Sequence, residues 1–507
     1  MVESAMDRGE TAARADLVVE TVGRVASVGP GTAQVRDLPG TMSDELLLFE
    51  DGSRGLAFDI DQVLVGVVLL DRAPDLASGH RVRRTGRVLD VGVGRSLLGR
   101  SVDALGRPLD GLGPVDTDAS RPVESQAPEI MDRLPVTKPL QTGIKAVDAL
   151  IPIGRGQREL VMGDRQTGKT AVCLDAILNQ AETGVVSIYC GIGKRASAMA
   201  RVLTALEDGQ AMNRCVVLTA TEDDPPGLQF IAPYSAMAMA EEFASMGLDV
   251  LLVLDDLTRH ARAYRELSLL LRRPPGREAF PGDIFYIHSR LLERSTRLRT
   301  ELGGGSITCL PVVETEAGNL SAYIPTNLIS ITDGQVYLSP VLFRKGILPA
   351  VDIGRSVSRV GGKAQLPAYR AVAGDLRLAY AQFEELEAFS RFGTRLDAET
   401  KKSIHRGQRV REILRQSQYQ PLPVWHQISV LVAVNSGIFD SLELDAIQEA
   451  SRAVADLVHR EARDLCQAVE SGERLQDEDL ERLKSLAGQA VADLKPQPES
   501  PTPKRPD

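Results

Sequence analysis

The pattern of apolar and polar residues is first regular near the N-terminus. From Val22 to about Leu89, short β-branched runs alternate with turn dipeptides such as Gly-Pro, Asp-Gly and Ser-Gly. These runs are Gly23–Val28, Gly31–Val35, Leu46–Glu50, Val63–Leu70 and Arg83–Leu89. Short strands at regular spacing are typical of a small closed sheet. The pattern therefore predicts a β-barrel domain over residues 22–90.

A second pattern runs from about Val91 to Gln365, where apolar strands alternate with segments of helical length. The clearest of these strands are Arg158–Met162, Val185–Cys190, Arg214–Thr219 and Val250–Leu254. Such alternation favours a largely parallel sheet with helices on both faces, whose ligand sites lie at the carboxyl ends of the strands. We predict an α/β domain over residues 91–367.

After Ala368 the strand pattern stops, and residues 369–417 and 442–492 are rich in Ala, Leu, Glu and Arg. Apolar residues there recur at helical spacing, as at Leu376, Ala379, Phe383 and Leu386. This predicts a helical domain over residues 368–494. The proline-rich residues 495–507 are predicted to be a disordered tail, and residues 1–21 a polar, alanine-rich extension.

Composition fits this three-domain division. The chain has 507 residues, of which 43% are hydrophobic and 25% charged, as in ordinary globular proteins. Its apolar runs are shorter than the roughly 18–20 residues of a membrane helix, and we expect no signal peptide. The net charge of −10 disfavours a general nucleic-acid binder.

Cysteine and histidine usage predicts neither a disulfide framework nor a metal site. The five cysteines are scattered and odd in number, and the six histidines lack ligand-like spacing. The cysteines are Cys173, Cys190, Cys215, Cys309 and Cys466. We interpret them as small buried side chains in a reducing cytoplasm.

The strongest local signal is a phosphate loop that fits G-x-x-x-x-G-K-[ST], between an apolar strand and a helical run. It consists of Gly163, Asp164, Arg165, Gln166, Thr167, Gly168, Lys169 and Thr170. The glycines let successive N–H groups face a phosphate, and the helix N-terminus adds a positive dipole. We expect Lys169 to reach the β- and γ-phosphates and the Thr170 hydroxyl to bind Mg²⁺.

A second carboxylate for the metal follows the strand Val250–Leu254. Asp255 is the first residue of an acidic pair there, and we expect it to face Mg²⁺ through water. Phosphate loop, carboxylate and parallel sheet together predict a site for ATP or ADP with Mg²⁺. They do not predict hydrolysis, which also needs a residue that orients or deprotonates water.

Longer stretches of the chain resemble the F-type ATP synthase alpha subunits. The loop GDRQTGKT is similar to theirs, whereas the catalytic beta subunits carry a different, glycine- and alanine-rich loop. Other matching stretches are Tyr264–Arg294, Ala322–Gln335, Ser356–Gly361, Phe49–Gly55 and Val102–Pro108. The resemblance covers residues 22–490. It implies a multidomain fold, with a small N-terminal β-barrel, a central RecA-like α/β P-loop domain and a C-terminal α-helical bundle.

The resemblance also implies an assembly. Three alpha and three beta subunits would alternate around a gamma shaft, with a peripheral stalk, on the cytoplasmic face of a bacterial inner membrane. The ring would couple ATP synthesis or hydrolysis to transmembrane proton or sodium transport, touching the membrane only through the membrane-embedded sector. Alpha would bind Mg-ATP without turning it over, and no nucleic acid is expected.

Lys194 differs from the residue that the family has at a catalytically important position. In catalytic relatives a Glu that activates water follows a glycine after the next strand, and most alpha subunits have Gln there. Here Lys194 follows Gly193, and a protonated lysine cannot act as a general base at neutral pH. Two alternatives stay open for its side chain, which either contacts the nucleotide phosphates or points to solvent.

By resemblance, Arg359 reaches across the subunit interface to the γ-phosphate held by beta. Its planar, permanently charged guanidinium suits it to stabilise transition-state charge as an arginine finger. Ser356 lies in the same loop and resembles a residue linked to activity. From the residues alone, Arg359 would be one surface arginine among many.

The resemblance further implies a base and ribose pocket formed by Gln166, Pro349, Gln416 and Gln418. The family usually has Arg before this proline, whereas this chain has Leu348, a change that bears on affinity or base selectivity. Residues 1–20 lack the amphipathic helix that docks the peripheral stalk. They are either a disordered start or a sign of an alternative, sodium-type synthase with different stalk attachment.

Three other functions compete with this interpretation. A self-sufficient ring helicase or export ATPase would need its own catalytic Glu, which Lys194 replaces, and aromatic residues for nucleic acid make up only 4% of the chain. A catalytic beta subunit disagrees with the loop sequence. A purely structural ring subunit disagrees with the intact phosphate loop and Asp255. The coupling ion and the direction of operation depend on other subunits.

Overall fold

The structure, a computed structural model, describes residues 21–390 and 398–494. It divides into two compact units, one up to Leu89 and one from Asp90 onward. The first unit ends one residue before the predicted boundary at residue 90, and the boundaries at residues 90 and 368 stay predictions. The predicted disordered tail and all but the last residue of the N-terminal extension lie outside the described residues.

Eighteen strands occur in the described residues, numbered here in chain order. They are β1 (Val22–Gly29), β2 (Thr32–Arg36), β3 (Glu45–Phe49), β4 (Arg54–Ile60), β5 (Leu64–Leu69), β6 (Arg81–Val88), β7 (Asp90–Val93), β8 (Ser101–Asp103), β9 (Ala119–Pro122), β10 (Pro139–Leu140), β11 (Ile153–Gly154), β12 (Leu160–Gly163), β13 (Val186–Lys194), β14 (Cys215–Thr221), β15 (Asp249–Asp255), β16 (Ser306–Glu314), β17 (Gly334–Leu338) and β18 (Val357–Ser358).

Fourteen α-helices occur in the same residues. They are α1 (Lys145–Leu150), α2 (Lys169–Leu178), α3 (Ala196–Asp208), α4 (Pro226–Ser245), α5 (Leu257–Leu270), α6 (Ile284–Leu292), α7 (Tyr323–Ile331), α8 (Pro340–Arg344), α9 (Pro367–Ser390), α10 (Ala398–Leu414), α11 (Val424–Asn435), α12 (Ile447–Glu461), α13 (Arg463–Ser471) and α14 (Asp477–Asp493).

The first unit is a closed antiparallel barrel with strand order β1-β2-β5-β4-β3-β6. Alternating side chains point inward because successive residues of a strand face opposite sides of the sheet. Val35, Leu47, Val67 and Val82 are fully buried there. The predicted barrel is confirmed, with one strand more than predicted, namely β4.

The second unit is built around an eight-stranded sheet with the order β18-β17-β12-β16-β15-β13-β14-β8. All neighbouring pairs in it are parallel except the edge pair β17–β18. Helices such as α2 and α4 pack on the sheet. The predicted α/β domain is confirmed. Its parallel strands place all their carboxyl ends at one edge, where the phosphate loop follows β12.

The helices α9–α14 complete the second unit, and the predicted helical domain is confirmed. Leu376, Phe383 and Phe439 are fully buried among them, in a hydrophobic core shared with the α/β part. This shared core explains why the two parts form one compact unit. Helix α11 lies in a stretch for which no helical periodicity was predicted.

All five cysteines are buried and unpaired, as predicted. Among residues 21–390 and 398–494, no helix is both long and apolar enough to span a bilayer.

Candidate nucleotide-binding site

The phosphate loop connects the end of β12 to the start of α2, as predicted. Strand β12 is the third of the eight strands, between β17 and β16, so the loop opens at the carboxyl ends of interior strands. Gly163 packs so tightly that a Cβ atom there would lie 2.6 Å from the Leu338 carbonyl oxygen. Gly168 has a φ of +96°, a conformation that favours glycine. Both glycines are therefore needed for the loop to turn into α2.

Lys169 is buried at the start of α2, with its ammonium group against the loop backbone. Its Nζ donates to the carbonyl oxygens of Gly163 and Asp164 at 2.9 and 2.6 Å. Burial lowers its pKa, whereas the nearby carboxylates of Glu314 and Asp255 act in the opposite direction. The ammonium group thus sits within the loop, where a phosphate would replace the carbonyl contacts.

Asp164 and Arg165 fasten the loop to the end of β16. The Asp164 carboxylate accepts hydrogen bonds from Thr315 Oγ1 at 2.6 Å and from the Gly318 N–H at 2.9 Å. The exposed Arg165 guanidinium lies 3.1 Å from the Glu314 carboxylate. These two side chains shape the loop, while the exposed Gln166 side chain lies at its surface.

A pocket beside the loop brings together Pro349, Gln416 and Gln418, three of the four residues expected around the base and ribose, with Thr167 and Gly168. Gln166, the fourth, does not line it. Phe343 and Leu348 also line it. The Gln416 amide is committed to the backbone, because Nε2 donates to Gly143 O at 2.7 Å and Oε1 accepts from the Lys145 N–H at 3.1 Å. Gln416 therefore shapes the pocket, whereas the exposed Gln418 is free to reach a ligand.

Asp175 is a pocket residue that the sequence reasoning missed. It lies on α2, six residues after Lys169, and its side chain is buried. Burial raises the pKa of its carboxyl to about 7, against the opposing effect of hydrogen bonds from the backbone of Tyr419 and Gln420. The sequence shows an acidic residue in the helix that follows the phosphate loop, but it does not show that the Asp175 side chain is buried.

Asp255 ends β15, with two hydrogen bonds to one carboxylate oxygen and an ionic contact at the other. Its Oδ2 accepts hydrogen bonds from Thr170 Oγ1 at 2.7 Å and from the Tyr189 hydroxyl at 2.8 Å. Its Oδ1 lies 2.5 Å from the Lys194 ammonium nitrogen. Burial alone would raise the pKa of the Asp255 carboxyl, but Lys194 and the two hydroxyl groups outweigh burial and lower it. Asp255 is thus a buried carboxylate.

The sequence left two alternatives for the Lys194 side chain, contact with the phosphates or exposure to solvent. In the structure the side chain does not point to solvent. It is 20% exposed and also lies 3.4 Å from the Asp256 carboxylate, which caps α5 through the Arg259 N–H. Burial alone would lower its pKa, but the charges of Asp255 and Asp256 outweigh burial and raise it. Lys194 is therefore a protonated cation at neutral pH. It contacts Asp255, the carboxylate that was expected to face a metal ion.

These residues do not fit the expected Mg²⁺ site as they stand. A hydrated Mg²⁺ beside the Thr170 hydroxyl would place its charge against the Lys194 ammonium, which lies 2.5 Å from Asp255 Oδ1. The disagreement is confined to the metal and leaves the phosphate loop intact.

Arg359 lies near the amino ends of the parallel strands, at the end of the sheet opposite the phosphate loop. It follows β18, whose Ser358 pairs with Gly334 at the start of β17, whereas Gly163 pairs with Leu338 at the end of β17. The four steps from residue 334 to residue 338 correspond to about 13 Å along the strand. The exposed guanidinium donates to the carbonyl oxygens of Thr332 at 3.1 Å and Ile329 at 3.2 Å.

Ser356 is buried beneath the same loop. Its hydroxyl donates to the Asp352 carbonyl oxygen at 2.6 Å and accepts from the Tyr337 N–H at 2.9 Å. Both bonds join the loop to β17 and the turn before β18. The hydroxyl is thus fully used within the chain, and Ser356 positions the loop that carries Arg359.

Two family models match the chain. The nucleotide-binding domain of the ATP synthase alpha/beta family matches residues 143–358, and the C-terminal domain of the ATP synthase alpha/beta chain matches residues 365–490. The first match includes the phosphate loop, Asp255 and Ser358. The second includes the loop between α10 and α11 that supplies Gln416 and Gln418.

Full-length relatives give the same result. A Syntrophotalea carbinolica protein named ATP synthase subunit alpha 2 is 60% identical over 471 residues, which cover 93% of this chain and 90% of that protein. A Syntrophus aciditrophicus protein with the same name is 57% identical over 489 residues, which cover 96% and 94%. An Albidiferax ferrireducens protein, again of that name, is 57% identical over 486 residues, which cover 96% and 91%.

Proposed function

This chain belongs to the ATP synthase alpha/beta family, as an alpha subunit of the F-type ATP synthase, and we propose that it binds ATP or ADP without hydrolysing it. We further propose that its Arg359 completes a catalytic site on the neighbouring beta subunit. The chain would thus have two separate roles, one at each edge of its central sheet.

Nucleotide binding is supported by the phosphate loop and the adjoining pocket. The loop offers backbone N–H groups and the start of α2 to the phosphates, and Lys169 is placed to contact them. The pocket beside the loop, with Pro349 and Gln418, is where the base and ribose would lie. Because the Mg²⁺ expected at Thr170 and Asp255 does not fit this arrangement, the nucleotide alone is the proposed ligand of this site.

The absence of turnover at this site is supported by Lys194. Hydrolysis requires a group that deprotonates or orients water near the γ-phosphate. Lys194 stands where catalytic relatives carry that carboxylate, and its ammonium group is fixed by Asp255 and Asp256. A cation held in this way cannot accept a proton from water, so the bound nucleotide would stay intact and have a regulatory role.

The position of Arg359 is the observation that carries the second role. The side chain is exposed at the end of the sheet opposite its own phosphate loop, which supports a role toward a nucleotide held by another subunit. The loop that carries it is fixed by Ser356 and by backbone bonds. A guanidinium presented in this way would stabilise the charge that develops on the transferred phosphoryl group. Such a contact contributes roughly a thousandfold or more in rate, about 4 kcal/mol.

The assembly that follows has three copies of this chain alternating with three beta subunits around a gamma shaft, with a peripheral stalk. The machine would lie at the cytoplasmic face of a bacterial inner membrane and couple ATP synthesis or hydrolysis to proton or sodium transport. The alpha-subunit relatives over nearly the whole chain support this proposal.

Binding and hydrolysis by the purified chain alone test the first role. We expect ATP to bind, and to be recovered as ATP after incubation. Sustained release of phosphate by the chain alone, lost in Lys169→Ala, would instead indicate an autonomous ATPase with a water-activating group of its own.

A further inference from the structure

We propose that the Lys194 ammonium is the built-in cation of this nucleotide site, so that the chain binds ATP or ADP without requiring Mg²⁺. The inference rests on the proposed nucleotide-binding role and adds a property that the phosphate loop does not predict. It starts from the contact between Lys194 Nζ and Asp255 Oδ1, 2.5 Å apart.

The location of Lys194 is the first support. Strands β13 and β15 are parallel neighbours, with Gly191 opposite Asp255, so the end of β13 lies at the same edge as the phosphate loop. The Thr170 hydroxyl, next in sequence to Lys169, is bonded to the other oxygen of the same Asp255 carboxylate. One carboxylate therefore separates the ammonium group from the start of α2, where the phosphates would lie.

The local charges are the second support. Asp255 and Asp256 are both buried and both contact Lys194, and carboxylate charge near a polyphosphate would repel it. A metal ion ordinarily offsets this repulsion. Here Lys194 lies within 4 Å of both carboxylates, at 2.5 and 3.4 Å, and supplies a positive charge at the same place.

Competition with the metal is the third support. A hydrated Mg²⁺ held between Thr170 and Asp255 would bring two positive charges next to an ammonium group in a buried environment, where the repulsion between them is strong. Either the ion or Lys194 would have to leave Asp255. The lysine is part of the chain and already makes the contact, so it has the advantage of pre-organisation.

The test measures equilibrium binding of radiolabelled ATP to the purified full chain by dialysis, once with Mg²⁺ and once with excess EDTA. We expect the parent chain to bind with dissociation constants that agree within about threefold in the two conditions. Lys194→Gln keeps a hydrogen-bond donor for Asp255 but removes the charge. It should bind at least about tenfold more weakly in EDTA than with Mg²⁺, the loss expected for one charge-assisted contact.

Two further variants control for charge and folding. Lys194→Arg keeps the cation and should bind more tightly in EDTA than Lys194→Gln does. Arg195→Gln removes the adjacent cation, an exposed side chain 3.1 Å from Glu222, and should also leave binding in EDTA unchanged. Thermal unfolding shows which variants are folded, and the parent chain gives a decisive result without any of them.

The outcomes separate this inference from the proposed function. Binding by the parent chain only when Mg²⁺ is present would overturn the inference and leave the nucleotide site in place. Equal binding by Lys194→Gln in both conditions would also overturn it. No binding by the parent chain in either condition would overturn both the inference and the proposed nucleotide site.

Discussion

The backbone N–H of Arg359 donates a hydrogen bond to the carbonyl oxygen of Asp333 at 2.8 Å. The Asp333 carboxylate in turn holds the Arg158 guanidinium at 2.9 Å, two residues before β12. The loop that carries Arg359 is thus joined to the beginning of the strand whose end forms the phosphate loop. The same sheet therefore supports the nucleotide site of this chain and the arginine that we propose acts on a neighbouring subunit.

Lys169→Ala should abolish tight ATP binding by the chain. The buried ammonium group is replaced by a methyl group, so the phosphates lose a charge-assisted contact, and we expect affinity to fall by about a hundredfold or more. Isothermal titration calorimetry measures the effect. Arg165→Gln is the comparison, because this exposed guanidinium is paired with Glu314, and it should cost much less. Equal losses for the two variants would contradict the role given to Lys169.

Ser356→Ala should loosen the Arg359 loop without removing a group that touches substrate. It removes a hydroxyl with two hydrogen bonds in a buried setting, so the free energy of unfolding should fall by about 1–3 kcal/mol. In a ring assembled with beta, turnover should fall by less than in Arg359→Ala. Ser330→Ala, at an exposed hydroxyl on α7, is the control and should change neither quantity. An effect as large as that of Arg359→Ala would indicate a direct catalytic contact.

Asp175→Asn should stabilise the chain more at alkaline than at acidic pH. Burial raises the pKa of Asp175 to about 7 in the folded chain, whereas an unfolded Asp titrates near ~3.9. The folded state therefore binds the proton more tightly, and ionisation destabilises the fold progressively between these two pKa values. Relative to the parent, the variant should gain about 2–3 kcal/mol more in unfolding free energy at pH 8 than at pH 5.

Chemical denaturation at the two pH values measures this gain. Asp208→Asn, at an exposed carboxylate ending α3, is the matched control and should leave the pH dependence of stability as in the parent. A gain for Asp175→Asn that is the same at both pH values would show that the Asp175 carboxyl is not destabilised by burial.

The phosphate loop could be predicted from the sequence because its chemistry is contiguous. Gly163, Gly168 and Lys169 lie within one short turn, and a strand and a helix next to it fix the direction of the loop. Asp255 could be predicted for a similar reason, as it follows an apolar strand directly. Arg359 could be singled out only by resemblance, because an exposed arginine carries no local signal.

The Lys194–Asp255 contact could not be predicted, because it depends on the order of strands in the sheet. β13 and β15 are neighbours in space, but β14 lies between them in sequence. The prediction of a Mg²⁺ ion at Asp255 therefore did not take into account that Lys194 pairs with this carboxylate. Sequence periodicity alone cannot supply such a neighbour.

Two elements were missed because they lack the expected periodicity. β4 contains three consecutive buried residues instead of an alternating pattern. α11 is apolar nearly all round, with Gln427 and Ser429 buried beside Ile428 and Val430, so it shows no amphipathic stripe. Both elements are specified by tertiary packing, which a pattern search along the chain does not detect.

ATP hydrolysis by a ring assembled from beta and the Arg359→Ala chain tests the central claim most directly. Arg355→Ala is the matched control, since this exposed arginine in the same loop pairs with Asp352. We predict that both variants assemble with beta as the parent does. Turnover should fall roughly a thousandfold or more in Arg359→Ala and stay near the parent value in Arg355→Ala. Near-parent turnover in an assembled Arg359→Ala ring would contradict the claim that this chain completes its neighbour's catalytic site.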